Sequence, residues 1–323
     1  MSAGGPVLVA PDSFKGTFTA VEVAAAVARG LRAGGRDAVE LPVGDGGDGT
    51  MHALVAALGG ELRRATVSDP LGRPVEAAYA LTPQGAVVEV AQASGLARVK
   101  EAERDAWAAS TRGTGELIAA AVAAGAQSVL VCAGGSATTD GGSGALEALD
   151  AAGASPDITV ICDVRTAWED AARVFSPQKG ADPATVARLE RRMEALAGAA
   201  PRDPRGVPMT GCAGGLSGGL WAHRGARLVP GAAFVLDAIG FDARMRDARF
   251  VVTGEGRLDE QTLQGKAVAE VATRSRQAGV ACHAVVGEDA LDLFGARVID
   301  LSTVTVAADL DAMERAGREL ARR

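Results

Sequence analysis

SVLVCAGGSATTDGGSG, running from Ser128 to Gly144, has one serine ahead of an apolar run, Val129–Ala133, and ends as a glycine-rich loop, and ALEALDA (Ala145–Ala151) follows it. The apolar run predicts a buried strand over Ser128–Cys132, and the segment after the glycines predicts a helix. Strand, loop and helix in that order form the repeating unit of a parallel α/β sheet. The flanks agree, with a helix predicted over Glu116–Ala124 and another buried strand over Ile158–Cys162.

Reading outward, the chain starts with a short strand, Val7–Ala10, and a helix from Thr19, where Thr19 and Glu22 have capping-box spacing and Gly34-Gly35 supply the stop. A second strand, Ala38–Val43, leads into GDGGDGT and a further helix. From Thr66 to Val90, short β-like runs alternate with turn signals at Asp69-Pro70, Gly72 and Pro83, predicting an antiparallel element. Asp182 and Pro183 open a helix to Ala200, and the proline- and glycine-rich stretch Pro201–Gly219 reads as a hinge or lid. The last third returns to α/β: strands Phe250–Thr253, Ala281–Val286 and Arg297–Leu301, and helices Lys266–Ala278 and Asp309–Arg322. The expected fold is two α/β domains. Residues 1–65 and 235–323 form a discontinuous parallel-sheet domain of flavodoxin/Rossmann type, residues 66–234 form an inserted mixed α/β domain, and a cleft is expected between the two.

With 323 residues, 48% hydrophobic and 23% charged, the chain has the composition of a globular protein with room for two cores. A net charge of −7 argues against a nucleic-acid surface. The longest apolar stretch, Leu117–Ala133, is interrupted by Gly125, Gln127 and Ser128 and does not read as a membrane span. No signal peptide is evident, so a cytoplasmic location is expected. Cys132, Cys162, Cys212 and Cys282 and the three histidines have no zinc-ligand spacing.

Only four of the 33 basic residues are lysines. Lys15, Lys179 and Lys266 sit beside glycines in loop-like segments, whereas Lys100 lies in a charged run. In a chain that uses arginine wherever any positive charge suffices, the retained ammonium groups point to phosphate or carboxylate contacts.

Each of the candidate loops offers its own chemistry. In Ala133–Gly144, Gly134, Gly135 and Gly141 can turn N–H groups toward an anion, Ser136 and Thr138 add hydroxyls, Asp140 is a lone carboxylate, and the next helix adds its positive end. In GDGGDGT, Asp45 and Asp48 suit a hydrated Mg²⁺ or a general base, or one of them caps the helix at Thr50. In TGEGRLDEQTLQGK, Glu255, Asp259 and Gln261 suit a metal or ribose, and Lys266 starts a helix. This loop lacks P-loop spacing. SPQKGA carries Lys179.

The segments APDSFKG (Ala10–Gly16), PVGDGGDGT (Pro42–Thr50), EVAQASGL (Glu89–Leu96), STRGTGELI (Ser110–Ile118), GGSATTDGG (Gly134–Gly142), PQKGA (Pro177–Ala181), AGGLSGG (Ala213–Gly219) and TGEGRLDEQTLQGK (Thr253–Lys266) occur in one order along most of the chain. As a set they resemble the class I glycerate kinases. The resemblance implies transfer of the ATP γ-phosphoryl group to D-glycerate with Mg²⁺, most often giving 2-phosphoglycerate, which suits a site of lysines, anion nests and a metal. It implies a small-molecule substrate and an active site in the interdomain cleft, while the charge and the apolar pattern speak against a nucleic-acid or membrane partner and a homodimer is left open.

On that reading Lys15, Asp45, Asp140 and Lys266 are the catalytic candidates, with Asp45 and Asp140 the alternatives for base or metal ligand. Asp12, Ser13, Ser94, Arg112, Lys179, Asp259 and Gln261 are the substrate-binding set, Arg112 because its fork suits a carboxylate. Gly134, Gly135, Ser136, Thr138, Gly141 and Glu255 hold phosphate or nucleotide, and Asp45 and Asp48 hold metal. The chain departs from the family where Arg165-Thr166-Ala167-Trp168 replaces the usual Asn-Pro-Leu stretch, where Asp48 stands for glutamate and Thr139 for asparagine, and in a shorter segment between Gly144 and Ile158. Trp168 either narrows the acceptor's space or packs as core. The alternatives are a kinase for another hydroxy acid and a non-catalytic metabolite-binding protein.

Overall fold

Val7–Pro11 (β1) is apolar and buried throughout, as a strand covered on both faces must be. The computed structural model describes residues 5–14, 16–260, 262–264, 266–291, 295 and 298–323. The chain divides into two compact units. The first comprises the residues up to Asp45, His52–Leu58 and Gly231–Arg323; the second comprises Gly46–Met51 and Gly59–Pro230.

In the first unit β1 pairs in parallel with β2 (Ala38–Glu40) on one side and β9 (Val251–Gly254) on the other. Cys282–Val286 (β11) and Thr303–Val306 (β13) extend the sheet, all parallel, in the order β13-β11-β9-β1-β2. Counted by this unit's own strands, that is 2-1-3-4-5, the flavodoxin-like order. Helix α1 (Ala20–Ala33) carries the predicted capping box, Thr19 accepting from the Glu22 N–H and the Glu22 carboxylate accepting from the Thr19 N–H. Its apolar face packs Val23, Val27 and Leu31 with Val7, Val9, Val252 and Met313. Fully burying each such side chain contributes about 1.5–3 kcal/mol.

In the second unit β3 (Glu61–Ser68), β4 (Pro74–Thr82) and β5 (Gly85–Glu89) form the expected antiparallel element. β6 (Ser128–Cys132), β7 (Asp157–Cys162) and β8 (Arg227–Pro230) continue the sheet in parallel. Helices α4 (Arg112–Ala123) and α5 (Ser143–Ala151) pack Leu117, Ile118 and Leu149 with Val88, Val129, Val131 and Val160. Helix α7 (Pro183–Ala199) starts as predicted, with Asp182 accepting from the Thr185 N–H.

Two expectations are corrected. The last strand is Thr303–Val306, where β-branched residues alternate, and not Arg297–Leu301. Val298 and Ile299 are helical, Asp300 has a left-handed φ of 56°, and Arg297 lies outside the described residues. The glycine cluster read as part of a hinge is interior: Cys212 to Leu220 are buried, across a 3-10 turn and the start of α8 (Leu216–Arg224). Its glycines permit close approach. A Cβ on Gly214 would lie 1.9 Å from the Thr138 carbonyl oxygen. Among the described residues no helix is long and apolar enough to cross a membrane.

Trp168 resolves as core. It is 3% exposed and packs with Ala171, Ala172, Leu189, Met193 and Ala197. Its indole N–H donates to the Met193 carbonyl at 2.9 Å, and its backbone N–H to Thr210 Oγ1 at 3.0 Å. Added Cβ atoms on Gly141, Gly215 and Gly218 would meet indole carbons at 2.8, 3.1 and 2.5 Å, so the ring fills the space those glycines leave. Trp168→Ala is therefore expected to cost about 3–5 kcal/mol of stability, read from urea unfolding. A loss below about 1 kcal/mol would contradict the packing described.

Candidate active site

Open α/β sheets bind ligands beyond the carboxyl ends of their strands, at the point where strand order reverses. In the first unit that point lies between β1 and β9. The Asp12 N–H donates to the Gly254 carbonyl at 2.8 Å, closing the strand ends together, and the Ser13 N–H donates to Asp12 Oδ1 at 2.7 Å. A cavity of about 390 Å³ opens here, with Asp12, Ser13, Asp45, Glu255, Asp259 and Lys266 in its wall, along with Arg257 and Glu288.

Glu255, 6% exposed, is buried, as are Asp12 and Asp45. Thr262 Oγ1 donates to Oε1 at 2.6 Å, and Lys266 Nζ stands 3.6 Å from Oε2. Burial pushes the Glu255 carboxyl above its ordinary range; Thr262 and Lys266 pull it back, while Asp45 and Asp259 add like-charge repulsion. The described charged lining has five carboxylates (Asp12, Asp45, Glu255, Asp259, Glu288) against Arg257 and Lys266. A divalent cation would relieve that crowding. Among the described residues no group of three or more His, Cys, Asp and Glu is arranged to hold a metal alone. Asp45 lines this cavity, whereas Asp48 is exposed in the second unit and does not. Lys15 and Gln261 lie outside the described residues.

The second unit gathers a different set beyond β6 and β7. Asp140, 7% exposed, accepts from the Thr111 N–H and Oγ1, both at 2.8 Å, from the Gly142 N–H at 3.1 Å, the Gly144 N–H at 3.3 Å and Ser110 Oγ at 3.4 Å. Its carboxylate is spent on the chain's own donors. Ser136 Oγ and Thr138 Oγ1 are 2.8 Å apart, and the Gly141 N–H donates to the Gly214 carbonyl at 3.0 Å. Lys179, 3% exposed, donates to the Thr138 carbonyl at 2.6 Å. Burial pulls its ammonium down to about 8, against the attraction of Asp140 and Asp163. Around it lies a cavity of about 220 Å³ lined by Gly135, Ser136, Asp163, Lys179 and Gly214, with apolar walls from Leu96, Val164 and Phe175.

Several expected residues fall elsewhere. Ser94 is fully buried and accepts from Thr114 Oγ1 at 2.8 Å. Arg112 is exposed at the start of α4, its Nε 3.7 Å from Glu116, and neither cavity's described lining includes it. Gly134 packs on the GDGGDGT loop, donating to the Gly46 carbonyl at 3.1 Å. Thr138 is buried and serves through its carbonyl. Thus the residues assigned to each ligand do not sort by unit: Ser94, Arg112 and Lys179 of the substrate set lie in the second unit, and Glu255 of the phosphate set lies in the first.

Two acids were missed in the sequence. Asp163 follows the end of β7 and lines the smaller cavity, a position that strand-end logic alone picks out. Glu89, 1% exposed at the end of β5, accepts from the Met51 N–H at 2.7 Å, and burial with help from Asp48 pushes its carboxyl up to about 7. No local signal marks it, because its burial depends on the loop folded over it.

Comparison with known proteins adds the following. The model of the glycerate kinase family matches residues 7–155 and 150–322. A glycerate 2-kinase of Escherichia coli K12 is 36% identical over 312 residues, 84% of this chain and 82% of that one. A glycerate kinase of Halalkalibacterium halodurans is 37% identical over 322 residues, covering 87% and 85%. The crystal structure of a chain described as glycerate kinase 2, from Salmonella typhimurium LT2, superposes with a TM-score of 0.83 at 31% identity over 98% of this chain and 97% of that one.

The Lys179 ammonium sets an expectation for pH. It is charged below about 8 and neutral above, with Asp140 and Asp163 the charged groups acting on it. Affinity of the smaller cavity for a small carboxylate should therefore hold to about pH 8 and fall beyond it, as calorimetric titrations across pH 6.5–9.5 would show. Lys179→Arg should remove the fall, because a guanidinium keeps its proton. A wild-type affinity flat across the range would rule out Lys179 as the anion contact.

Proposed function

The chain belongs to the glycerate kinase family, and from that premise we propose that it transfers the γ-phosphoryl group of ATP to D-glycerate, giving 2-phosphoglycerate. That it is a kinase follows from the family. The nucleotide, the metal and the position phosphorylated are our reading. The observation that carries it is that, among the described residues, Lys179 and Lys266 are the lysines lining these cavities, one per unit, each beyond the carboxyl ends of parallel strands. Scarce ammonium groups are thus kept where an anion would bind.

Phosphoryl transfer asks little covalent chemistry of a protein; it asks for positioning and for charge to be neutralised. Lys266, held 3.6 Å from Glu255, supplies a point charge for phosphate oxygens. Mg²⁺ would be held by Asp45 with Asp259, rather than Asp48, and would neutralise charge on the phosphates. Asp140 orders the loop that carries Ser136 and is a positioning residue rather than the base. The product assignment leans on the Escherichia coli relative, whose name specifies a 2-kinase.

The reading is tested by ADP release from purified protein with ATP, Mg²⁺ and D-glycerate, with phosphorus and carbon NMR locating the phosphate. Glycerate-dependent ADP release with phosphate on C2 is expected. Lys266→Ala should fold normally and lower kcat/KM by roughly thirty- to a thousand-fold, the loss of one charge-assisted contact in the transition state. Release that glycerate does not stimulate, with stimulation by another hydroxy acid, would move the substrate; none by any would leave a binding protein.

A further inference from the structure

We propose that the smaller cavity is the acceptor's subsite, where Lys179 holds the hydroxy acid's carboxylate and Asp163 faces the hydroxyl that is phosphorylated, making Asp163 a catalytic residue. This rests on the kinase reading above.

Size is the first ground. At about 220 Å³ the cavity falls below the ~300–1,000 Å³ of pockets that enclose drug-sized ligands, whereas the first unit's cavity, at 390 Å³, falls within that range. A three-carbon acid suits the former and a nucleotide the latter. Charge is the second. A nucleotide arrives with its own Mg²⁺ and tolerates a wall of five carboxylates and two cations; a bare carboxylate does not. The smaller cavity has one carboxylate, Asp163, and one cation, Lys179, in its lining.

The donor geometry is the third. Lys179 has three N–H donors, of which the Thr138 carbonyl takes one at 2.6 Å. Ser136 adds a hydroxyl, and Gly135 and Gly214 adopt left-handed φ angles of 72° and 64°, a conformation that lets the backbone approach a ligand closely. Leu96, Val164 and Phe175 give the cavity apolar walls on which the acid's carbon chain can rest. An acid bound this way needs an acceptor for its hydroxyl, and Asp163 is the one carboxylate in the lining. It sits close under the glycine-rich loop: a Cβ on Gly134 would be 3.2 Å from its Oδ2.

The step balances as follows. The hydroxyl oxygen forms a bond to the γ-phosphorus, the bond from that phosphorus to the β–γ bridging oxygen breaks, and ADP leaves with that electron pair. The hydroxyl proton passes to the Asp163 carboxylate and from there to solvent.

The test separates the two ligands, using calorimetric titration of D-glycerate alone and of Mg²⁺ with a non-hydrolysable ATP analogue alone, alongside steady-state rates. Lys179→Met should raise the glycerate Kd at least tenfold and leave the analogue's Kd within about twofold. Asp163→Asn should keep glycerate affinity within about threefold but lower kcat by about 10²–10³-fold, since the amide accepts a hydrogen bond and cannot take the proton. Should a buried Lys179→Met chain fail to fold, Leu96→Trp fills the cavity from its apolar side and must raise the glycerate KM without moving the analogue's Kd. The assignment is overturned if Lys179→Met or Leu96→Trp weakens the analogue rather than glycerate, or if Asp163→Asn keeps kcat within threefold. A wild type that neither binds glycerate nor releases ADP with it would instead sink the kinase reading, and the inference with it.

Discussion

Five donors converge on the carboxylate of Asp140, and three of them are backbone N–H groups at the starts of two helices. Thr111 precedes α4, while Gly142 and Gly144 flank the first residue of α5. Helix N-termini leave N–H groups without intrahelical partners and carry partial positive charge, so one buried anion between two of them satisfies both. The loop that supplies Asp140 is fixed by the same act. Ser136 and the Thr138 carbonyl, which receives Lys179, inherit their positions from it. A residue that looks catalytic by type is therefore more consequential as the knot that ties the binding loop down.

The two lysines illustrate different ways of holding a cation beside a cavity. Lys266 remains partly exposed beside a buried Glu255, where water moderates both charges. Lys179 is taken almost wholly out of water, and one carbonyl and two nearby acids compensate it incompletely. A buried ammonium held short of full compensation has more to gain from an incoming carboxylate than a solvated one.

Features set within a few residues were legible in the sequence. Thr19 and Asp182 cap helices through bonds to residues three positions on, and the spacing of Thr19 to Glu22 and the proline after Asp182 revealed them. The strand–glycine loop–helix unit at Ser128–Ala151 was equally local, and it gave the parallel sheet. What depends on distant parts of the chain was not legible. Ser94 and Thr138 looked like ligand donors by type, yet each is fully buried behind the loops. Arg112 has a fork that suits a carboxylate, yet it is exposed at the start of α4 beside Glu116. Asp163, after β7, and Glu89, at the end of β5, stood in plain view as single acids, but only the folded loops show that the first lines a cavity and the second is buried. Trp168 had two readings until Gly141, Gly215 and Gly218 proved to be the surface it packs on.

Inserting one unit's sequence inside the other's has a consequence for synthesis. Ala10 in β1 meets its partner Thr253 in β9 across 243 residues, and α1 packs on a helix, Leu310–Leu320, that is made later still. At ribosomal speeds of about 5–20 residues per second, β1 waits roughly ten to fifty seconds for β9. Meanwhile its apolar face and one hydrogen-bonding edge lack their final neighbours, the condition under which strands pair with the wrong chain. The inserted unit, Gly59–Pro230, is nearly contiguous and can be completed during that wait. Birth on the ribosome, rather than the finished fold, is where this molecule is most open to aggregation.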